Sequence, residues 1–262
     1  MNIASSPIKR IIKGAVKTLG FEISRPRPPG PQASPERMLF EALLNIRGAA
    51  SDATPFLKYC ACNIDKAHAQ LFQDLLVLYL LEEKRDGYFV EFGAADGLEL
   101  SNTFLLENEY GWRGIVAEPA RCSHQALTRN RTCSKDYRCL WSKSGKKLEF
   151  IEAAVRPSLS GLYHNAKPRQ DGKQYTVETI SLPDLLLAHN APMGIDYLSV
   201  DTEGSEFIIL DSFFPSPYEV RVITVEHNYT NQRSDIHRLL TSCGYKQVFK
   251  ELSMFDDWYI KQ

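Results

Sequence analysis

The sequence predicts an α/β fold, a mostly parallel central sheet with helices on both faces, and three observations carry that prediction. From residue 87 onward, short apolar runs of strand character alternate with segments of helical period. Two of those runs, YFVEF and GIVAE, carry an acidic residue at or next to their last position and pass directly into a turn. The last two strand signals are separated by only a short loop, which reads as a hairpin-type ending with an antiparallel last strand.

The elements follow in chain order. Residues 8–20, IKRIIKGAVKTLG, place Ile8, Ile11, Ile12, Ala15, Val16 and Leu19 at helical spacing among four basic residues. Such a helix suits an anionic membrane surface through residues 1–20, and equally suits packing on its own domain or a partner subunit. Residues 24–35 hold five prolines and a glycine and read as a semi-rigid linker. Helical stretches are predicted at 36–47 and 66–84. The division is therefore a basic amphipathic segment (1–23), a linker (24–35), a helical extension packing on the core (36–86) and a catalytic domain (87–262).

Within that domain, strands are predicted at 88–92, 114–118, 137–141, 148–153, 197–201, 220–226, 245–249 and 258–260. Helices are predicted near 100–109, 120–130, 181–189, 204–213 and 231–242. The polar Gly/Pro-containing stretch 156–175 reads as a loop or lid.

Composition narrows the function. The net charge of −1 gives no field that recommends nucleic acid as a partner. Six cysteines, none in a C-x-x-C pair, argue against structural zinc. Reduced thiols and the lack of a signal-like or membrane-spanning apolar run predict a cytoplasmic setting, with the basic head at the inner face of the membrane as a hypothesis.

The sharpest constellation is GYFVEFGAADG: a strand ending in Glu91, a glycine turn at Gly93, then Asp96 and a helix start. Ligands of open parallel sheets bind beyond the carboxyl ends of the strands, where this turn falls. It lacks the full G-x-G-x-x-G that cradles a pyrophosphate, and its acids suit a cationic ligand such as S-adenosylmethionine. An ordinary strand-to-helix turn capped by Asp96 is the bland alternative. Glu118, ending the second strand, stands at the Rossmann-like interval for an acid that grips ribose hydroxyls. Ser142, with Trp141 before it, follows the third strand, where an adenine ring often lies.

Together, QDLLVLYLLEEKRDGYFVEFGAADGLELSNTFLLENEYGWRGIVAEP, IDYLSVDTEGSEFIILDSF and VITVEHN resemble the FkbM family of methyltransferases, in order, over roughly residues 68–260. The resemblance implies a class I methyltransferase fold, S-adenosylmethionine as donor and a hydroxyl acceptor, often on a sugar. It carries Glu91, Gly93, Asp96 and Glu118 over as cofactor contacts, and puts Gln73, Asp74, Ser101 and Asn102 beside the cofactor. The family commonly has Asn where this chain has Ala95.

A hydroxyl needs a base or a metal to accept a methyl group. His227 is the first candidate base and Asp201 the second, both at strand ends. Strand alternation implies that only one of Glu226 and His227 faces a pocket. Asp201, Glu226 and Asn228 form an oxygen-ligand set suited to Mg2+, or hydrogen-bond loops and cofactor without a metal. The competing readings are a nicotinamide-dependent oxidoreductase on the same fold and a non-catalytic binding subunit.

Overall fold

The computed structural model describes residues 53–153, 161–162 and 172–262. The basic head, the linker, the 36–47 helix and most of the 156–175 stretch lie outside the described residues.

Two helices lead in: α1 (Thr54–Asn63), followed by a 3-10 turn (Ile64–Lys66), and α2 (Gln73–Leu80). Then come β1 (Tyr88–Phe92), α3 (Phe104–Tyr110), β2 (Arg113–Ala117), α4 (His124–Asn130), β3 (Ser134–Asp136) and β4 (Cys139–Leu140). A β-rich excursion, β5 (Lys147–Glu152), β6 (Gly161–Leu162) and β7 (Lys173–Ile180), precedes α5 (Leu182–Ala188) and β8 (Gly194–Val200). The chain closes with α6 (Glu206–Phe213), β9 (Glu219–Glu226), α7 (Gln232–Ser242), β10 (Tyr245–Val248) and β11 (Asp256–Lys261).

Seven strands form the main sheet in the order β10-β11-β9-β8-β1-β2-β3. Only β11 runs against its neighbours, pairing antiparallel with both β9 and β10. The mostly parallel sheet and its antiparallel last strand are thus as predicted. β1 lies inside the sheet between β8 and β2, and apart from Tyr88 it is wholly buried because helices cover both faces. Phe89 packs into a cluster with Leu75, Leu78 and Leu105 of α2 and α3, whereas Val90 faces Leu185, Ile209 and Leu240 of α5, α6 and α7. From β1 the chain steps outward to β2 and β3, then returns to β8 on the opposite flank. That reversal opens a crevice at the carboxyl ends of β1 and β8, the place where such sheets bind ligands.

Three expectations change. The 66–84 helix contracts to α2, since Phe72 takes a left-handed φ of 64° just before it; α1 was not foreseen. The strand expected at 137–141 contracts to β4 in the second sheet, and the edge strand of the main sheet, β3, lies just before it. The end of the 156–175 loop belongs to β7, which pairs with β5 over six register positions from Lys147↔Glu178 to Glu152↔Lys173. β7 buries mainly Val177, Thr179 and Ile180, so its exposed positions gave it a polar composition that concealed a strand.

Candidate active site

A cavity of about 280 Å³ lies in the crevice, near the lower end of the range for small-molecule sites. Its walls come from the turn after β1, the ends of β8 and β9, the start of α2 and the start of β11. Of the sequence-predicted residues, Gln73, Glu91, Gly93, Asp96, Ser101, Asn102, Asp201 and Glu226 line it. Asp74, Glu118, Ser142, His227 and Asn228 do not.

The first wall is held from behind. Glu91 is buried and accepts hydrogen bonds from Ser101 Oγ, Asn102 N, Thr103 Oγ1 and Arg131 Nη1. Arg131, equally buried, also reaches Glu107; burial would raise that carboxyl, but Arg131 and the Thr132 hydrogen bonds outweigh it and hold it down at about 2. Glu91 is therefore a paired charge that fixes the turn. Asp96 caps the same turn, accepting from Leu98 N and Glu99 N. Gly93, at φ 73°, is obligatory for another reason: a Cβ there would lie 2.1 Å from the Asp201 carbonyl oxygen. The glycine admits the neighbouring strand end rather than a ligand alone.

Asn102 donates through Nδ2 to Ser199 Oγ at 2.8 Å, and its Oδ1 is buried with no partner among the described residues. A buried acceptor without a donor is costly unless a ligand satisfies it. This is the feature of the wall that fits a cationic donor group best.

Glu118 does not reach the cavity and so departs from the ribose-gripping expectation. It is buried, and its oxygens accept from Ala95 N and Ala120 N, pinning the wall from outside. Burial pushes its carboxyl up to about 7. Asp74 likewise serves the backbone, accepting from His68, Ala69 and Leu75 amides before α2. Ser142 is off the cavity because β4 diverges into the second sheet, and Trp141 packs on that sheet's apolar cluster.

The opposite wall is acidic. Asp201, at the end of β8, and Glu226, at the end of β9, hydrogen-bond through their side chains. Burial first, and then the Glu226 charge, raise Asp201 well above the carboxylate range; burial raises Glu226 to about 8. The pair holds a proton at neutral pH. Glu203 joins them, with carboxylate oxygens of all three lying within 4.8 Å of one another. Glu203 thus joins Asp201 and Glu226 as an oxygen donor of this wall. The Asn228 amide nitrogen instead donates to Glu226 at 2.7 Å.

His227 turns away from this wall, as the alternation of β9 requires. Both ring nitrogens are engaged: Nδ1 accepts from Tyr229 N at 3.0 Å, which leaves Nε2–H to donate to the Asp256 carbonyl at 3.1 Å. Burial lowers its pKa below the ordinary value. It is a satisfied structural histidine, and Asp201 is left as the base candidate.

Glu99, Glu203 and Asp256 are acidic cavity residues outside the sequence-predicted site set. Asp256 stands directly across from Glu226 in the β9–β11 register. The acids Glu91, Asp96, Glu99, Asp201, Glu203, Glu226 and Asp256 line the cavity, and none of the described lining residues is lysine or arginine.

A family model described as "Methyltransferase FkbM domain" matches residues 91–246. No curated protein matches the chain. Solved structures similar to it include precorrin-6y C5,15-methyltransferase from Geobacter metallireducens, at 13% identity, 66% and 71% coverage of the two chains and TM-score 0.36. Another is the human methyltransferase 10 domain containing protein, at 10% identity, 99% and 98% coverage and TM-score 0.32. With the family match spanning more than half its length, from the end of β1 into β10, the chain belongs to the FkbM methyltransferase family.

Proposed function

We propose that this methyltransferase takes its methyl group from S-adenosylmethionine and delivers it to a hydroxyl oxygen, on a sugar of a glycan or glycosylated product. The observation that carries the reading is the acid-lined, cation-free cavity at the β1–β8 crevice. Such a wall favours a sulfonium and an ammonium, and repels the pyrophosphate of a nicotinamide cofactor.

S-adenosylmethionine, when bound, supplies an electrophilic methyl group on a cationic sulfur. Asn102 Oδ1 offers the ammonium of that donor an acceptor that otherwise goes unused. The Glu91–Arg131 pair keeps the turn rigid, so that little ordering is left to binding. The acceptor hydroxyl is served by the Asp201–Glu226 pair, which takes its proton once the pair has ionised. Asp201, Glu203 and Glu226 also fit a hard divalent cation such as Mg2+, which would stabilise an alkoxide. Because Asp201 and Glu226 already satisfy each other through a proton, the proton route is the one favoured here.

The test is transfer of radiolabelled methyl from S-adenosylmethionine to a panel of mono- and oligosaccharides. Alkali-stable label on the sugar, as in a methyl ether, is the expected result. Alkali-labile label, or label confined to amine acceptors, contradicts the hydroxyl reading.

A further inference from the structure

Asn102 is gripped at two points by neighbouring strands. Its backbone N–H donates to Glu91 Oε1 at 2.7 Å, and its side-chain Nδ2 donates to Ser199 Oγ at 2.8 Å. Glu91 and Ser199 are register partners in β1 and β8, and Ser199 is in turn the register partner of Thr224 in β9. Glu91, Ser199 and Thr224 form a buried row across the sheet, and all three line the cavity.

Tyr197 stands two residues before Ser199 on the same face of β8. It is wholly buried, and its hydroxyl meets Thr224 Oγ1 at 2.8 Å and the Ser199 side chain. Asn102, Ser199, Tyr197 and Thr224 are thus joined in one chain of hydrogen bonds. It runs from the turn after β1 to the strand that carries Glu226. All four side chains are uncharged, so the polarity of the chain lies in the direction of its protons.

That direction matters because an amide has two ends of the same shape and opposite polarity. With Nδ2 on Ser199, Oδ1 is left buried with no partner among the described residues and can accept from an ammonium. Turned over, the same amide would present N–H groups to the ligand and repel it. A serine hydroxyl both donates and accepts, so Ser199 alone fits either orientation. What decides is where the Ser199 proton goes. We propose that Ser199 donates to Tyr197 and Tyr197 to Thr224, which keeps Ser199 an acceptor for Asn102 and aims the Asn102 carbonyl at the ammonium of the methyl donor. Thr224 ends the chain at the cavity wall, where its own proton meets ligand or solvent. Ser199 and Tyr197 are positioning residues that act on the donor through Asn102. The proposal rests on the S-adenosylmethionine reading above and deepens it.

Calorimetry at neutral pH compares S-adenosylhomocysteine with its analogue lacking the amino group. The unaltered protein should prefer S-adenosylhomocysteine by roughly tenfold or more, as a charge-assisted hydrogen bond implies. The acid walls add to this preference in every variant, so the change between variants is what reads the amide. Tyr197→Phe removes one hydroxyl from the chain and lets Ser199 donate to Asn102. The preference should then shrink about tenfold, through weaker S-adenosylhomocysteine binding, with the analogue's affinity kept. Ser199→Ala should do the same. In an Asn102→Asp background, Tyr197→Phe should leave the preference in place, because a carboxylate has no wrong way round. An undiminished preference in Tyr197→Phe, or one lost equally in both backgrounds, overturns the proposal. So does equal weakening of both ligands, the mark of a merely structural role, or equal binding of the two to the unaltered protein. Failure of the unaltered protein to bind S-adenosylhomocysteine would instead strike the cofactor reading, and the two failures are distinguishable.

Discussion

Arg131 Nη1 lies 3.2 Å from Glu91 Oε2 beneath the turn that follows β1, with both side chains out of solvent. Arg131 Nε also meets Glu107 at 2.5 Å, so one guanidinium serves two acids, the buried Glu91 and the half-buried Glu107. Arg131→Met leaves both carboxylates unpaired, and the cost of such a break is about 3–5 kcal/mol. Thermal or urea unfolding should register that loss, together with loss of S-adenosylhomocysteine binding as the turn relaxes. Unchanged stability would mean that Glu91 is held by its hydroxyl and amide donors alone.

Ala95 takes a φ of 46°, a left-handed conformation that disfavours a Cβ, while its N–H is tied to Glu118 at 2.8 Å. Replacing it with glycine should stabilise the protein by roughly 1 kcal/mol. Asparagine, common at this position in the family, tolerates the same conformation and should also raise Tm. A lower Tm for both variants would refute the strain.

The pH dependence of transfer follows from the Asp201–Glu226 pair, with Glu203, Glu206 and Asp256 as the acids that surround it. Their folded-state pKa values are raised, so the proton-accepting form is depleted at low pH. Methyl transfer should therefore climb as pH rises through about 8 and fall away in acid. Asp201→Asn should remove most of the rate, about a hundredfold or more, without loss of S-adenosylhomocysteine binding. A rate that is flat between pH 6 and 9, taken here as roughly the span over which such a base titrates, would dismiss the pair as base.

His227 joins Tyr229 N to the Asp256 carbonyl. His227→Ala should cost about 1–3 kcal/mol of stability through unsatisfied buried groups, and leave the pH profile of transfer in place. Abolished transfer in a variant of undiminished Tm would return the base role to His227.

EDTA treatment tests the proton route against a metal at Asp201, Glu203 and Glu226. Transfer should persist after chelation. Activity lost with EDTA and restored by Mg2+ would reverse that assignment.

The sequence carried the central architecture because its signals are local. β1 falls on the predicted 88–92, since an interior strand covered on both faces is a near-continuous apolar run, broken here only by Glu91. Asp201 and Glu226 could be read as facing strand ends for the same reason. Asp256 could not: its place opposite Glu226 depends on the β9–β11 register, which sequence spacing does not encode. Arg131 was equally hidden, because a lone arginine after a helix gives no sign that its partners, Glu91 and Glu107, are distant in sequence. His227 misled by residue type. Its titration range suits catalysis, but strand alternation hands the pocket to Glu226. Ser142 and the polar β7 were misread because the second sheet diverts that part of the chain.

Calorimetric titration with S-adenosylhomocysteine and, separately, with NAD measures most directly whether acid walls at the β1–β8 crevice select an adenosyl cofactor without phosphate. The account predicts saturable, one-to-one binding of S-adenosylhomocysteine and no heat from NAD. Saturable binding of NAD with no response to S-adenosylhomocysteine would contradict it.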